Sequence, residues 1–228
     1  KIGEMAFLST VNARIYIPQS VTAIEKKAFN DNAVIYGYAN SVAEEFAKNN
    51  DIKFVAVNSH DEYLSLLTYS DTDNSSYKSA IDELSQLGII NGFEDGTFKP
   101  QDNVTRAQAA TMFATALGYS DTKYQNIATD KAVFSDFLMS HWAYKYADYV
   151  MKSADISSGE TNCILNGFED GTFRPDNNVT IIQLLKMAIC SLGEDGYMAE
   201  AVENGGYPNG YNTVAEKYGF SKSIAVDD

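Results

Sequence analysis

The chain states one fifteen-residue phrase twice. Residues 91–105 read NGFEDGTFKPQDNVT and residues 166–180 read NGFEDGTFRPDNNVT, so twelve of fifteen positions are identical at an offset of 75 residues. Self-similarity of this kind implies a supersecondary unit built more than once, each copy leaning on a neighbour to bury its apolar face. The flanks define that unit as helix, turn, helix. Ahead of the first copy, Tyr77 to Leu87 places Ala80, Ile81, Leu84 and Leu87 on one helical face, with Gly88 as the stop. Asp95-Gly96 between aromatics, followed by Pro100, predicts a tight turn or short hairpin. Thr105 to Leu117 then sets Ala109, Met112, Phe113, Ala116 and Leu117 at helical spacing, a stripe expected to face the core, and Gly118 closes the helix.

The second copy runs from Phe134 to Gly193, its first helix starting near Trp142 and carrying Tyr146, Ala147, Val150, Met151 and Ala154. From Tyr77 to Asn91 is 14 residues, whereas from Trp142 to Asn166 is 24, so this copy holds about ten extra residues, expected as a surface loop around Ser157–Cys163. A third, partial copy spans Gly206 to Phe220 and repeats the first helix with its glycine stop.

The N-terminal part keeps a different period. Ile2 to Phe7 is echoed by Ile24 to Phe29 at a spacing of 22 residues, within the range of leucine-rich repeats. Arg14 to Pro18, Ala33 to Tyr36 and Lys53 to Val57 read as short strands, expected to lie parallel and edge to edge. Ser41 to Asn49 reads as a helix with Ser41 as N-cap and Glu44 three residues on, and a helical turn is expected around Glu62–Leu67. The composition turns polar between residues 58 and 76, which sets a boundary near residue 60.

Composition narrows the partners. A net charge of −14 leaves no basic face for nucleic acid or an anionic membrane, and no run of 18 apolar residues is present to insert in a bilayer. Fifteen tyrosines suit carbohydrate or protein contact, since each offers a flat apolar face with a polar tip. Two cysteines make no disulfide framework, and Cys190, inside a predicted helix, reads as a buried free thiol. The chain opens at Lys1 in mid-pattern and is expected to be a fragment whose signal peptide lies outside it.

The two copies diverge where their second helices begin. Thr105-Arg106-Ala107-Gln108 and Thr180-Ile181-Ile182-Gln183 both fit the capping box, in which the Thr hydroxyl accepts from the Gln amide and the Gln side chain reaches back. Capping explains Thr and Gln but not Arg106, whose charge stands at the positive end of a helix dipole. Arg106 is either an ordinary solvated arginine or one aimed at an anion. Its counterpart in the second copy is Ile181.

Two family resemblances rest on these residues. Ile17-Pro18-Gln19-Ser20-Val21-Thr22-Ala23-Ile24, Lys27-Ala28-Phe29 and the closing run from Tyr36 to Ala47 resemble the end of a bacterial leucine-rich-repeat array of the IPxSVTxIxxxAF class, over residues 1–57. Ser70-Asp71, Gly92 to Phe98 and Val104 to Gln108, with Phe134 to Phe137, His141-Trp142-Ala143 and Gly167 to Phe173, resemble S-layer homology repeats, over residues 70–228. The second resemblance implies a bundle of helix-turn-helix repeats that holds cell-wall secondary polysaccharide non-covalently, often through a ketal-pyruvylated amino sugar. It implies that Arg106 meets the anionic sugar and that Trp142 and Asp136 of the following repeat line the same groove. From the residues alone, Trp142 is equally a core anchor between helices, and Asp136 a turn residue.

The expected architecture is mixed: a leucine-rich-repeat solenoid end with short parallel strands over residues 1–60, a linker over 61–76, and a mainly α-helical S-layer-homology-type bundle over 77–228. Within the bundle, repeat one spans 77–119, repeat two 134–196 and a partial repeat three 197–228. The expected role is that of an extracellular, cell-wall or cell-surface protein, tethered through polysaccharide, with the repeat array offering an adhesion surface to an unidentified protein or host ligand. The alternative is a protein–protein interaction module with a degenerate polysaccharide site. No enzyme, cofactor or metal site is expected: His60 and His141 stand in unrelated contexts, and Glu94-Asp95 and Glu169-Asp170 sit beside glycine in matching turns without an EF-hand ligand series.

Overall fold

The β-rich runs near the N-terminus are strands in the computed structural model: β1 (Arg14–Ile17), β2 (Val34–Gly37) and β3 (Lys53–Ala56). They form one parallel sheet in the order β1-β2-β3, with Arg14 opposite Val34 and Val34 opposite Lys53. Isolated parallel bridges join Ile2 to Ile24 and Phe7 to Phe29, so the 22-residue echo in sequence is also a pairing in space. The rings of Phe7 and Phe29 stack at 5.2 Å. The structure describes residues 1–8, 13–128, 132–153, 164–192 and 197–220, which divide into two units, Lys1–Asp102 and Asn103–Asp228.

Parallel neighbours need a crossover, and α1 (Val42–Asn49) supplies it between β2 and β3. The Ser41 side chain accepts from the Glu44 amide, and Ala43 and Ala47 are buried with Ile17, Phe29, Ile35 and Ile52. Helix α2 (His60–Ser65) is capped by Ser59 and seats Tyr63 against Tyr36, Val57 and Leu67. Helix α3 (Lys78–Gln86) follows, and Gly88 leaves it with φ of 70°. The phrase at residues 91–100 is a turn and not a hairpin: the Phe93 amide donates to the Thr97 carbonyl at 2.8 Å, and the Gly96 amide to the Phe93 carbonyl at 3.0 Å.

The second unit contains α4 (Arg106–Ala116), α5 (Asp121–Gln125), α6 (Tyr144–Ser153), α7 (Ile181–Ser191), α8 (Tyr197–Glu203) and α9 (Asn209–Tyr218). Packing is shifted by one half-repeat. The second helix of copy one, α4, packs on the first helix of copy two, α6, and α7 packs on α9 of the third, partial copy. Both capping boxes form, at Thr105 with Gln108 and at Thr180 with Gln183. The glycine stop of the third copy is a left-handed cap at Gly219.

Three expectations need correction or fall aside. The stripe foreseen on α4 is displaced: the buried positions are Ala107, Ala109, Ala110 and Ala114, Met112 and Phe113 are half-buried, and Ala116 is exposed. Alanines on that face let α4 approach Ala143, Ala147 and Val150 of the neighbouring copy, a contact that periodicity within one helix does not reveal. Cys190 is buried as expected but is disulfide-bonded, not a free thiol. The loop expected around Ser157–Cys163 lies outside the described residues.

Glycine opens each phrase because an aromatic ring covers it. A Cβ at Gly167 would fall on the ring of Phe134, and one at Gly92 on the ring of Tyr69. Gly167→Ala is therefore expected to destabilise the second copy by about 2 kcal/mol through overpacking, lowering Tm by roughly 4–8 °C. Calorimetry of the single variant checks this, and an unchanged Tm would show that the ring moves aside freely.

Candidate functional site

Each repeated phrase closes on one carboxylate. Asp136 accepts from the amides of Phe173 and Arg174 at 2.7 and 2.8 Å, and Asp71 accepts from those of Phe98 and Lys99 at 2.8 and 2.7 Å. A second aspartate tightens the turn tip. Asp170 accepts from the Thr172 amide and hydroxyl at 3.0 and 2.6 Å, and Asp95 does the same with Thr97. The turn glycines Gly96 and Gly171 have φ of 79° and 77°, a region that L side chains rarely adopt. The aspartates of both phrases, Asp95 and Asp170, thus hold their turns together, while Glu94 and Glu169 beside them are exposed.

Arg106 is built into the second phrase. Its Nε donates to the Phe173 carbonyl at 2.8 Å and one terminal nitrogen to the Asn166 carbonyl at 2.9 Å, while its guanidinium lies 4.8 Å from the ring centres of both Phe168 and Phe173. Only 7% of the residue is exposed, so the solvated-arginine reading fails. Burial and the nearby Arg174 charge lower its pKa, and Asp136 opposes them. Arg106 and Asp136 meet on one residue: Phe173 gives its carbonyl to the arginine and its amide to the aspartate.

Trp142 is elsewhere. It is 57% exposed and touches the ring of His141, which rules out a core anchor. The cavity beside Arg106, of about 290 Å³, is lined by Asn166, Phe168, Gln183, Lys186 and Tyr207 among others, and neither Trp142 nor Asp136 is in its wall. The aromatic wall residue from the third copy is Tyr207, half exposed. Sequence reasoning missed Lys186 and Tyr207, since neither belongs to a repeated phrase.

Charge around the cleft is asymmetric. Arg174 lies 4.0 Å from the Phe168 ring centre on its way to an ion pair with Asp170 at 2.7 Å. Lys186 makes no hydrogen bond or ion pair among the described residues, and its pKa is lowered by burial and by the charge of Arg106. No group of three or more His, Cys, Asp or Glu suited to a metal occurs among the described residues. No described helix is long and apolar enough to cross a membrane.

The turn carboxylates make the fold acid-sensitive. Thr172 and Arg174 hold the Asp170 pKa down at about 2 against an ordinary 3.8. Asp71 is also lowered, by the Phe98 amide above all, and Asp136 is lowered because its two amide donors outweigh the effect of burial. A depressed folded-state pKa contributes stability above the unfolded value that is lost as pH falls through the folded one. Tm is therefore expected to drop between pH 3.8 and about 2. Asp170→Asn should lower Tm at pH 7 and lower it much less at pH 2, where the carboxylate is already partly protonated. Equal losses at both pH values would count against the carboxylate as the source.

The repeated phrases also match known proteins in sequence. The S-layer homology domain profile matches residues 68–110 and 133–180. The chain is 40% identical over 91 residues to "Cell surface glycoprotein 1" of Acetivibrio thermocellus, a match covering 40% of this chain and 3% of that protein. It is 36% identical over 92 residues to the "Cellulosome-anchoring protein" of the same organism, covering 40% and 18%. It is 30% identical over 154 residues to a "Cell surface protein" of Thermoanaerobacter kivui, covering 64% and 19%. The chain thus spans less than a fifth of the length of these curated relatives. The two matched stretches are S-layer homology sequence, and the chain is extracellular, at the cell wall or cell surface.

Proposed function

We propose that this S-layer homology chain is a non-catalytic wall anchor whose second unit holds an anionic secondary polysaccharide of the cell wall in the cleft beside Arg106. The observation that carries this reading is the guanidinium itself. Two of its nitrogens are fixed by the Phe173 and Asn166 carbonyls, and the remaining terminal nitrogen has no acceptor among the described residues while the residue lines an open cavity. A guanidinium held that way is pre-oriented for a carboxylate. Asp136 positions the cleft by fixing Phe173, and the exposed indole of Trp142 offers a separate face for a sugar ring. The name of the cellulosome-anchoring relative supports an anchoring role.

The same proposal extends to the first unit, read as the last coils of a leucine-rich-repeat array that presents an interaction surface. The parallel pairing of residues 22 apart at Ile2 with Ile24 and at Phe7 with Phe29 supports that reading.

A second reading, a protein-docking module, is favoured by one feature. Val133, Leu138, Met139 and Trp142 are each 48–61% exposed within a ten-residue stretch, more apolar surface than scattered single residues leave.

The anchor reading predicts co-sedimentation of the chain with wall preparations that retain their acidic polysaccharide and not with walls from which it has been extracted. Raising the salt from about 0.1 M to 1 M shortens the screening length about threefold, and retention should fall with it. Arg106→Lys keeps the charge but loses the fork and at least one of its two carbonyl contacts, so Tm should fall, and retention of the still-folded variant, measured below its Tm, should drop about tenfold. Equal sedimentation with extracted walls would sink the polysaccharide reading in favour of the protein-docking one.

A further inference from the structure

The two phrases fold alike but are not covered alike. In copy two, the carbonyls of Pro175 and Asn177 take the amides of Ala107 and Arg106, and those of Phe173 and Asn166 take the Arg106 side chain. The matching carbonyls of copy one, at Pro100, Asp102, Phe98 and Asn91, accept no hydrogen bond among the described residues. Exposure follows the same difference. Phe173 and Pro175 are buried and Phe168 is half-buried, whereas Phe98 and Pro100 are half-buried and Phe93 is 44% exposed.

The converse deficit stands at the start of α7. The Ile181 and Ile182 amides correspond to those of Arg106 and Ala107, yet they have no acceptor among the described residues. A helix start leaves such amides to be satisfied from outside. On α4, Arg106, Ala107, Ala109 and Ala110 are all buried. At the matching positions of α7, Ile181 is 44% exposed and Ile182, Leu184 and Leu185 are only half-buried, although their side chains are larger and more apolar than alanine. Helix α7 packs on α9 as α4 packs on α6, so what it lacks is the phrase across its start.

We propose that the start of α7 in one copy of the chain docks on the first phrase of a second copy, repeating between chains the join that α4 makes within one. The Ile181 and Ile182 amides then donate to the Asp102 and Pro100 carbonyls. Ile181 covers the rings of Phe93 and Phe98, the counterparts of those that the Arg106 guanidinium meets. Isoleucine suits the first phrase better than arginine does. The Asn91 side chain already accepts from the Arg14 guanidinium, and the Lys99 ammonium stands 4.1 Å from the Phe93 ring centre. A further cation would meet two like charges there, while an apolar side chain removes an exposed ring from water. The two surfaces differ, so each chain gives one α7 and receives another, and the contact runs head to tail into rings or filaments. This pairing uses neither Arg106 nor the cavity beside it, and it stands apart from the polysaccharide reading.

Sedimentation velocity of the full chain over a range of concentrations tests it. The sedimentation coefficient should rise with concentration and pass beyond that of a dimer. Ile181→Glu and Phe93→Ser should each weaken self-association at least about tenfold. Tm should change little in either variant, since both side chains are exposed and a glutamate suits the first turn of a helix. Mixed together, the two variants should pair one to one and stop there, because the first keeps an intact phrase and the second an intact α7. A chain that sediments as a monomer at every concentration overturns the proposal. So does failure of the mixed variants to pair, and so does self-association that survives Ile181→Glu but is lost in Leu138→Ser, which moves the contact to the exposed apolar stretch of copy two.

Discussion

The second unit depends on how the start of α4 is sewn to the second phrase. The Arg106 amide donates to the Asn177 carbonyl and the Ala107 amide to the Pro175 carbonyl, both at 2.9 Å, and the Val179 amide returns to the Val104 carbonyl at 2.9 Å. These bonds use the amides that a helix N-terminus leaves without partners. The Arg106 side chain adds two more bonds to the same segment, at Phe173 and Asn166. A helix of copy one thereby ends up fixed by the turn of copy two, and the shifted packing of α4 on α6 follows. A single copy could not make this contact, which is the physical content of the repetition.

The phrase itself survives duplication because each of its residues has local work. Asp136 gathers two amides, Asp170 ties the tip through Thr172, Gly171 takes a positive φ, and Gly167 admits the ring of Phe134. The corresponding residues Asp71, Asp95, Gly96 and Gly92 do the same in the first copy. Residues that answer to neighbours within their own phrase cannot drift, whereas position 106 answers to the phrase of the next copy and position 181 is 44% exposed, so the two could diverge. The fold is therefore duplicated and the chemistry is not.

This division also explains what could be read from sequence. Turns and caps are local, so both capping boxes, the Ser41 cap, the three strands and the glycine stop at Gly219 were visible in residue order. Contacts between copies are not local. The alanine face of α4 was hidden because its partner lies far along the chain on α6, and larger neighbours such as Phe113 suggested the wrong stripe. The short helices α5 and α8 have too few residues to show a period. Arg106 was legible as an anomaly, a cation at the wrong end of a helix. Lys186 was not, since a lysine within a helix looks ordinary until its neighbours prove to be Arg106 and no acid. Cys190 was misread for a similar reason, because a single helical position carries no information about the geometry of its bond.

The charge distribution sets the kind of recognition such a cleft supports. With a net charge of −14, the chain repels an acidic polymer at long range, and approach is not helped by steering. Attraction begins only within about 10 Å at ordinary salt, where screening ends and the local cations dominate. Three of those cations, Arg106, Arg174 and Lys186, gather around Phe168 and Asn166, and only Arg174 is neutralised by a partner. The wall of the cavity carries Arg106 and Lys186 and no acid, so an anion placed there would meet two cations without displacing an existing ion pair, whereas one placed elsewhere on the chain would meet its net negative charge.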